Sequence, residues 1–497
     1  MSVSKAYYIT DVGNWPRLKT GPLAALLVFS IVCGAFVHFF GTVFSFLVMA
    51  ALVGNIAMFL NYRLGVWLLI LLLPITGTTI FPHKLFGITG ANPYNLLLVV
   101  TLFYFFVHSF LRGSFNNKAY GYPRLWWGYI APLAVAAWVG SFHVNEIPPS
   151  ALAHELVHFD DVPGYVRDAF IKPLTYLVVA MLIGAALRDG MKFRSAVVAI
   201  CLSLHLIAAW ILFYIVSQHL GLSILSKAEF RAVLTGTGIH ANDLGAIAAF
   251  ILTVMIFMLA HGNSGGWFRL LLMLTAAVAS GLLVISFSRG AFVAFMVGMV
   301  IFFLRARRWR IIMVASLVFL MVLQLLPGEL LERLTTGFDT RGAEVMHSDK
   351  DPITAGRVVG VWIPLFSEVL KHPLFGNGLW SVAWSDTFRK GALSIESLNP
   401  HNLYLWAVLD MGLVGLGLLV LFFADLRRRF LSVAMNSSTG PLEAALFRGG
   451  AAALLGYAAF GLSGGNYVPT TSNVYLWILL GLLLGKRPRL RRSRKGL

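Results

Sequence analysis

The chain has 497 residues, 58% of them hydrophobic and only 12% charged, with a formal net charge of +18. A soluble domain carries about 25% charged residues, so composition excludes an ordinary soluble enzyme. The positive balance does not describe a nucleic-acid binder either, because Lys and Arg cluster in short connectors between apolar runs, as membrane topology requires.

Apolar runs recur over 22–40, 42–60, 64–81, 93–111, 125–142, 169–187, 195–217, 242–260, 268–286, 290–304, 311–327, 402–423, 447–463 and 471–485. Each approaches the length that crosses ~30 Å of hydrocarbon as a helix, which predicts about 12–14 spans. Strands of a membrane barrel would alternate over about ten residues instead. The expected fold is therefore an all-α polytopic membrane protein. The first run follows a polar stretch containing Lys5, Arg17 and Lys19, so it is expected to remain as an anchor. Cys33 and Cys201 lie inside apolar runs and suggest neither a disulfide nor a metal site.

The tail "KRPRLRRSRKGL" is strongly basic and is expected on the cytoplasmic side. Counting spans back from it places Arg63, Arg112 with Lys118 and Arg124, Arg188 to Arg194, Arg305 to Arg310 and Arg427 to Arg429 on that same side, with the N-terminus. The opposite face then receives 143–168, 218–241 and the long connector 328–401. Loops of that length are usually functional or disordered, and Trp362, Phe366, Phe375, Trp380 and Trp384 argue for order here. The division is 1–327 as an N-terminal bundle, 328–401 as a long outer loop with amphipathic helices, 402–485 as C-terminal spans, and 486–497 as a basic tail.

The outer segments hold the chemistry-bearing residues. "HELVH" at His154 to His158 has the H-E-x-x-H spacing of a zinc site. It lies in a short loop between Pro148-Pro149 and Pro163-Gly164, with no evident third ligand, so a solvated acidic helix is the better reading than a metalloprotease. Arg231 and His240 precede a span. Arg289 sits between Ser288 and Gly290 at a tight hairpin, where an outward arginine runs against the positive-inside bias. Arg357 opens a segment in which Val359, Trp362, Ile363, Phe366, Val369 and Leu370 share a helical face. "HPLFGNG" ends that helix, which is expected to lie on the membrane or cap a cavity.

The stretch "NPHNLYLWAVLDMGLVG" begins a late span. Asn399 is expected as its N-cap and Pro400 as its first residue, which puts His401 in the first turn. The positive helix end there disfavours an imidazolium and attracts anions. Asp410, an acid within a span, is a functional candidate by default.

Four features together resemble the O-antigen ligase and polymerase family of bacterial membrane proteins: Ser288-Arg289-Gly290, Arg357 followed by Trp362, "HPLFGNG", and His401-Asn402 leading to Asp410, Gly412 and Gly415. The resemblance is specific over about 285–425. It implies a metal-independent, cofactor-free glycosyltransferase on the periplasmic face of the inner membrane. Such an enzyme takes a glycan from undecaprenyl pyrophosphate and passes it to lipid A-core, a growing glycan or a protein hydroxyl. By resemblance, Arg289 and Arg357, with Arg231, hold the pyrophosphate. His401 orients or deprotonates the acceptor, and Asn402, Asp410 and His240 support it. The alternative class is a transporter or flippase of lipid-linked oligosaccharide, which would need arginines in mid-bundle rather than a histidine at one face.

Overall fold

The computed structural model describes residues 52–81, 84–85, 88–90, 92–111, 122–153, 156–157, 159–227, 229–306, 356–393 and 398–486. The chain divides into a unit over Met1–Tyr62 and a second over Arg63–Leu497. Of the first, 52–60 form a helix. Within the second, the helices in chain order are α1 (Arg63–Leu72), α2 (Pro93–Leu111), α3 (123–141), α4 (Val162–Arg188), α5 (Phe193–Ser217), α6 (Phe230–Gly236), α7 (Ala241–His261), α8 (Gly266–Ile285), α9 (Arg289–Ala306), α10 (Ile363–Lys371), α11 (Leu403–Met435), α12 (Pro441–Phe460) and α13 (Val474–Leu484). A two-residue antiparallel ladder pairs Lys84–Leu85 with Ile88–Thr89. Among the described residues, α2, α4, α5, α7, α8 and α11 are long and apolar enough to cross a membrane. The protein is an all-α polytopic membrane protein, as its hydropathy requires. The expected runs 22–40 and 311–327, most of 42–60, and the 328–355 part of the long loop lie outside the described residues.

α7 is the core helix: it packs on α8, α9 and α12, and 78% of its apolar window is buried. α4 packs along α13, and α1 along α5. Contacts sort the helix ends into two groups. At one end Arg188 binds the Leu484 carbonyl, Lys486 pairs with Glu443, and Arg194 lies 4.3 Å over the Phe268 ring. At the other end α7 begins, α8 turns into α9, and α12 finishes beside the start of α11. Arg188, Arg194 and Lys486 thus stand at the end of the bundle away from His401.

α11 departs from the expected 402–423 span in two ways. It runs on to Met435 through Arg427–Arg429, where Arg429 pairs with Asp425 at 2.8 Å and lies 4.2 Å over the Tyr122 ring. It is also broken at Gly412, whose φ of 68° is left-handed. A break leaves backbone groups without partners, and in hydrocarbon each is costly. Here the "HPLFGNG" strap supplies them. Leu413 and Val414 donate to the Pro373 and Leu374 carbonyls (2.8 and 3.1 Å), while Asn377 and Gly378 donate to the Leu409 and Asp410 carbonyls (2.8 and 3.1 Å). A Cβ on Gly412 would stand 2.3 Å from the Leu374 carbonyl, and one on Gly376 (φ 73°) would stand 2.5 Å from the Asp410 carbonyl. Both glycines are therefore required by close approach as well as by backbone angle.

Asp410 finishes the same joint. Its buried carboxylate accepts from the Trp380 and Ser381 amides (3.1 Å each), the Ser381 hydroxyl (2.7 Å) and the Tyr467 hydroxyl (2.5 Å). An acid inside a span with four donors around it is a structural fastener in this arrangement.

Candidate active site at the ends of α7, α9, α11 and α12

The α8–α9 turn is Ser286-Phe287-Ser288, with buried Phe287 in the left-handed region (φ 48°). Arg231 of α6 holds it. Its Nη1 donates to the Ser286 and Phe287 carbonyls (2.8 and 3.0 Å), and its Nη2 donates to Asn242 Oδ1 (3.2 Å). Arg289 is the first residue of α9 and is half-buried. Gly290 faces the Ser463 side chain so closely that a Cβ would lie 2.5 Å from its Oγ.

Ser463 belongs to the α12–α13 connector, and that connector joins the parts. Arg357 Nη1 donates to the Ser463 carbonyl (2.8 Å), Asn402 Nδ2 to the Leu462 carbonyl (3.3 Å), and the Leu403 amide to the Gly461 carbonyl (2.8 Å). Trp362 Nε1 donates to the Pro400 carbonyl (2.8 Å), which ties the turn preceding α10 to the start of α11. The structure therefore brings Arg231, His240, Arg289, Arg357, His401 and Asn402 to one end of the bundle. Asp410 stands apart, at the helix break.

The register at the start of α11 differs from the expectation. The N-cap is Asn402, whose Oδ1 accepts from the Tyr404 and Leu405 amides (3.0 Å each). Asn399 instead closes a small turn by accepting from the His401 amide at 2.8 Å. His401 precedes the cap rather than lying in the first turn, and it takes a left-handed φ of 52°. Two asparagines flank the histidine, and the second is the one whose side chain reaches the free amides at the helix start.

Correcting the register changes the cause of the histidine's neutrality. Burial, then the Arg357 charge and then His240, push the His401 pKa down to about 3. His240 caps α7 by accepting from the Asn242 amide at 3.2 Å on Nδ1. The ring keeps an exposed edge, yet desolvation, followed by Arg231 and Arg357, lowers its pKa as well. Two neutral imidazoles stand among cations, so the site has basic nitrogens and excess positive charge together. That combination suits an anion and a proton donor bound side by side.

The expected 447–463 run takes in residues 461–463, which the structure instead places in the connector after α12, whose helix ends at Phe460. The signal was present as "GLSGGNY", a glycine- and serine-rich break between two apolar runs. His154, Glu155 and His158 of "HELVH" lie outside the described residues. Among the described residues, no group of three or more His, Cys, Asp or Glu side chains is placed to hold a metal.

Comparison with known proteins bears on the same segment. Residues 274–420 match the family model described as O-antigen ligase. A Rickettsia prowazekii (strain Madrid E) protein named "Putative polysaccharide ligase" is 26% identical over 298 residues, covering 57% of this chain and 67% of that protein. The matched segment holds the α8–α9 turn with Arg289, Arg357, the strap, and His401 with its cap, so the similarity to the O-antigen ligase family falls on the residues that form the candidate site.

Proposed function

We propose that this protein transfers a glycan from a polyprenyl-pyrophosphate carrier, undecaprenyl pyrophosphate by resemblance, to an acceptor hydroxyl. The proposed place is the periplasmic face of the inner membrane. The observation that carries the reading is a neutral His401 beside Arg357, at the bundle end that also holds Arg289.

In the proposed reaction the acceptor hydroxyl loses its proton to His401 as its oxygen attacks the anomeric carbon. The bond from that carbon to the pyrophosphate oxygen breaks, and the carrier pyrophosphate leaves with the electron pair. Arginine forks from Arg289 and Arg357 would stabilise the charge gathering on the leaving oxygens, which is electrostatic stabilisation of the transition state. In this reading Arg231 works indirectly, because its bonds fix the turn from which Arg289 projects. His240 adds a second neutral imidazole. No step calls for a metal.

The bound donor also tunes the base. A free-protein pKa near 3 makes His401 a weak base; burial is the first cause, and the Arg357 charge is the part a bound anion can offset. Pyrophosphate lying among the arginines offsets the positive charge that holds the proton away. The base thus strengthens when the donor is present.

The test is reconstitution in proteoliposomes with polyprenyl-pyrophosphate glycan, offering lipid A-core or a second lipid-linked repeat as acceptor. Transfer to the first identifies a ligase and chain growth a polymerase. Donor binding with no transfer to any hydroxyl acceptor, together with movement of the donor between leaflets, would support a flippase instead.

A further inference from the structure

We infer that residues 358–378 form a re-entrant wedge whose exposed apolar ridge lies against the acyl chains of the bilayer, independently of which glycan is transferred. The wedge is inside-out for an aqueous loop. Val359, Ile363, Phe366, Leu370, Leu374 and Phe375 are 45–64% exposed along one side and around the following turn. The opposite side buries an acid. Glu368 is 5% exposed, accepts from the Thr387 amide (2.9 Å) and hydroxyl (2.8 Å), and pairs with Lys371 at 2.6 Å. In water such an arrangement leaves large apolar side chains uncovered at a cost in free energy, and contiguous patches of this kind mark interaction surfaces.

Continuity identifies the occupant. The strap is hydrogen-bonded to Leu409, Asp410, Leu413 and Val414, six to eleven residues past the start of α11 at Leu403. At ~1.5 Å per residue those bonds lie roughly 9–16 Å along the span, well inside a hydrocarbon layer of about 30 Å. Leu374 and Phe375 there adjoin exposed Leu413 and Val414, and the exposed surface continues to Val420 and Leu421 on a helix that crosses the membrane. Irregular backbone is tolerated at that depth when protein satisfies its polar groups, and the four strap bonds do so. The one lysine within the wedge, Lys371, is paired with Glu368 at 2.6 Å and with Asp386 at 2.7 Å.

The test uses the full chain carrying Cys33→Ala and Cys201→Ala in phosphatidylethanolamine/phosphatidylglycerol nanodiscs. Nitroxide labels go on Phe366→Cys, Leu374→Cys and Phe375→Cys, with Leu421→Cys as lipid reference and Lys390→Cys as water reference. Relaxation by dissolved oxygen is compared with relaxation by a water-soluble nickel chelate. The expected oxygen-to-nickel ratio at the three sites is several-fold above that of Lys390→Cys and equal to that of Leu421→Cys. A ratio equal to that of Lys390→Cys overturns the wedge. So does protection from both reagents, which would mean a protein surface, such as a second copy, covers the ridge. Ile363→Cys and Leu370→Cys repeat the measurement on the helix itself should a turn variant not fold.

Discussion

Acidification separates the two states of His401. With a free-protein pKa near 3, the imidazole stays about 99% neutral at pH 5, against about 3% for an ordinary histidine near 6.5. If proton abstraction by His401 is required, kcat/KM, which reports the free protein, should stay flat between pH 7.5 and 5. An ordinary histidine would give a loss of about thirtyfold over that interval. The kcat profile reports the donor complex and should behave differently. One pyrophosphate charge at about 5 Å, in an effective dielectric near 20, contributes roughly 3 kcal/mol in favour of the imidazolium, which moves the pKa up by about 2.4. The kcat limb should therefore fall with a midpoint between about 5 and 6. The assay is initial-rate transfer in proteoliposomes from pH 4.5 to 8.5, over a range of donor concentrations. Coincident acid limbs in kcat and kcat/KM near 6.5 would refute both the neutral resting state and its tuning by the donor. The same shift has a sign for stability. Below about 6.5 the unfolded chain takes up a proton that the folded site refuses, so stability falls as pH drops towards 3 and is unaffected above 6.5.

His401→Ala should lower transfer by at least about 10²-fold while the purified protein stays monodisperse; near-normal turnover would remove His401 from the reaction. Arg289→Lys keeps the charge but loses the fork, and should reduce kcat/KM for the donor by about ten- to a hundredfold, read from donor titrations; an unchanged value would discount the pyrophosphate clamp. Gly412→Ala puts a Cβ 2.3 Å from the Leu374 carbonyl at a φ of 68°, and should destabilise by about 2 kcal/mol or more. Thermal unfolding in detergent measures that loss, with Gly417→Ala, which meets nothing within 4 Å, as the neutral reference.

Hydropathy made the helices legible because a membrane demands long apolar runs, and charge placement correctly grouped Arg188, Arg194 and the C-terminal end. Arg289, Arg357 and His401 stood out because cations and a histidine are rare at the ends of such runs, and the structure does collect them. The joint between them was not legible. Ser463 contributes only its carbonyl to Arg357, and a main-chain acceptor has no residue signature. The break at Gly412 looks like any glycine in an apolar helix until Pro373 and Leu374 are known to approach it. In α10 the apolar period did mark one face, but the physical rule has two solutions. A soluble helix turns that face inward, whereas Ile363, Phe366 and Leu370 turn outward and Glu368 turns in. Even that division is imperfect, since Val369 of the expected face is buried.

The strap has a consequence for how the chain is made. Its bonds to α11 join residues 32 and 40 positions apart, and in each pair the strap residue comes first in the chain. When the second half of α11 leaves the ribosome, the acceptors at Pro373 and Leu374 have already been synthesised and delivered. A newly inserted α11 can begin as an unbroken helix, with the Leu409 and Asp410 carbonyls bonded to the Leu413 and Val414 amides, and open at Gly412 by exchanging those two bonds for four with the waiting strap. Each of the four α11 groups then passes from a helix partner to a strap partner. Biogenesis of the joint is then a swap rather than a rupture, and the direction of translation sets its order.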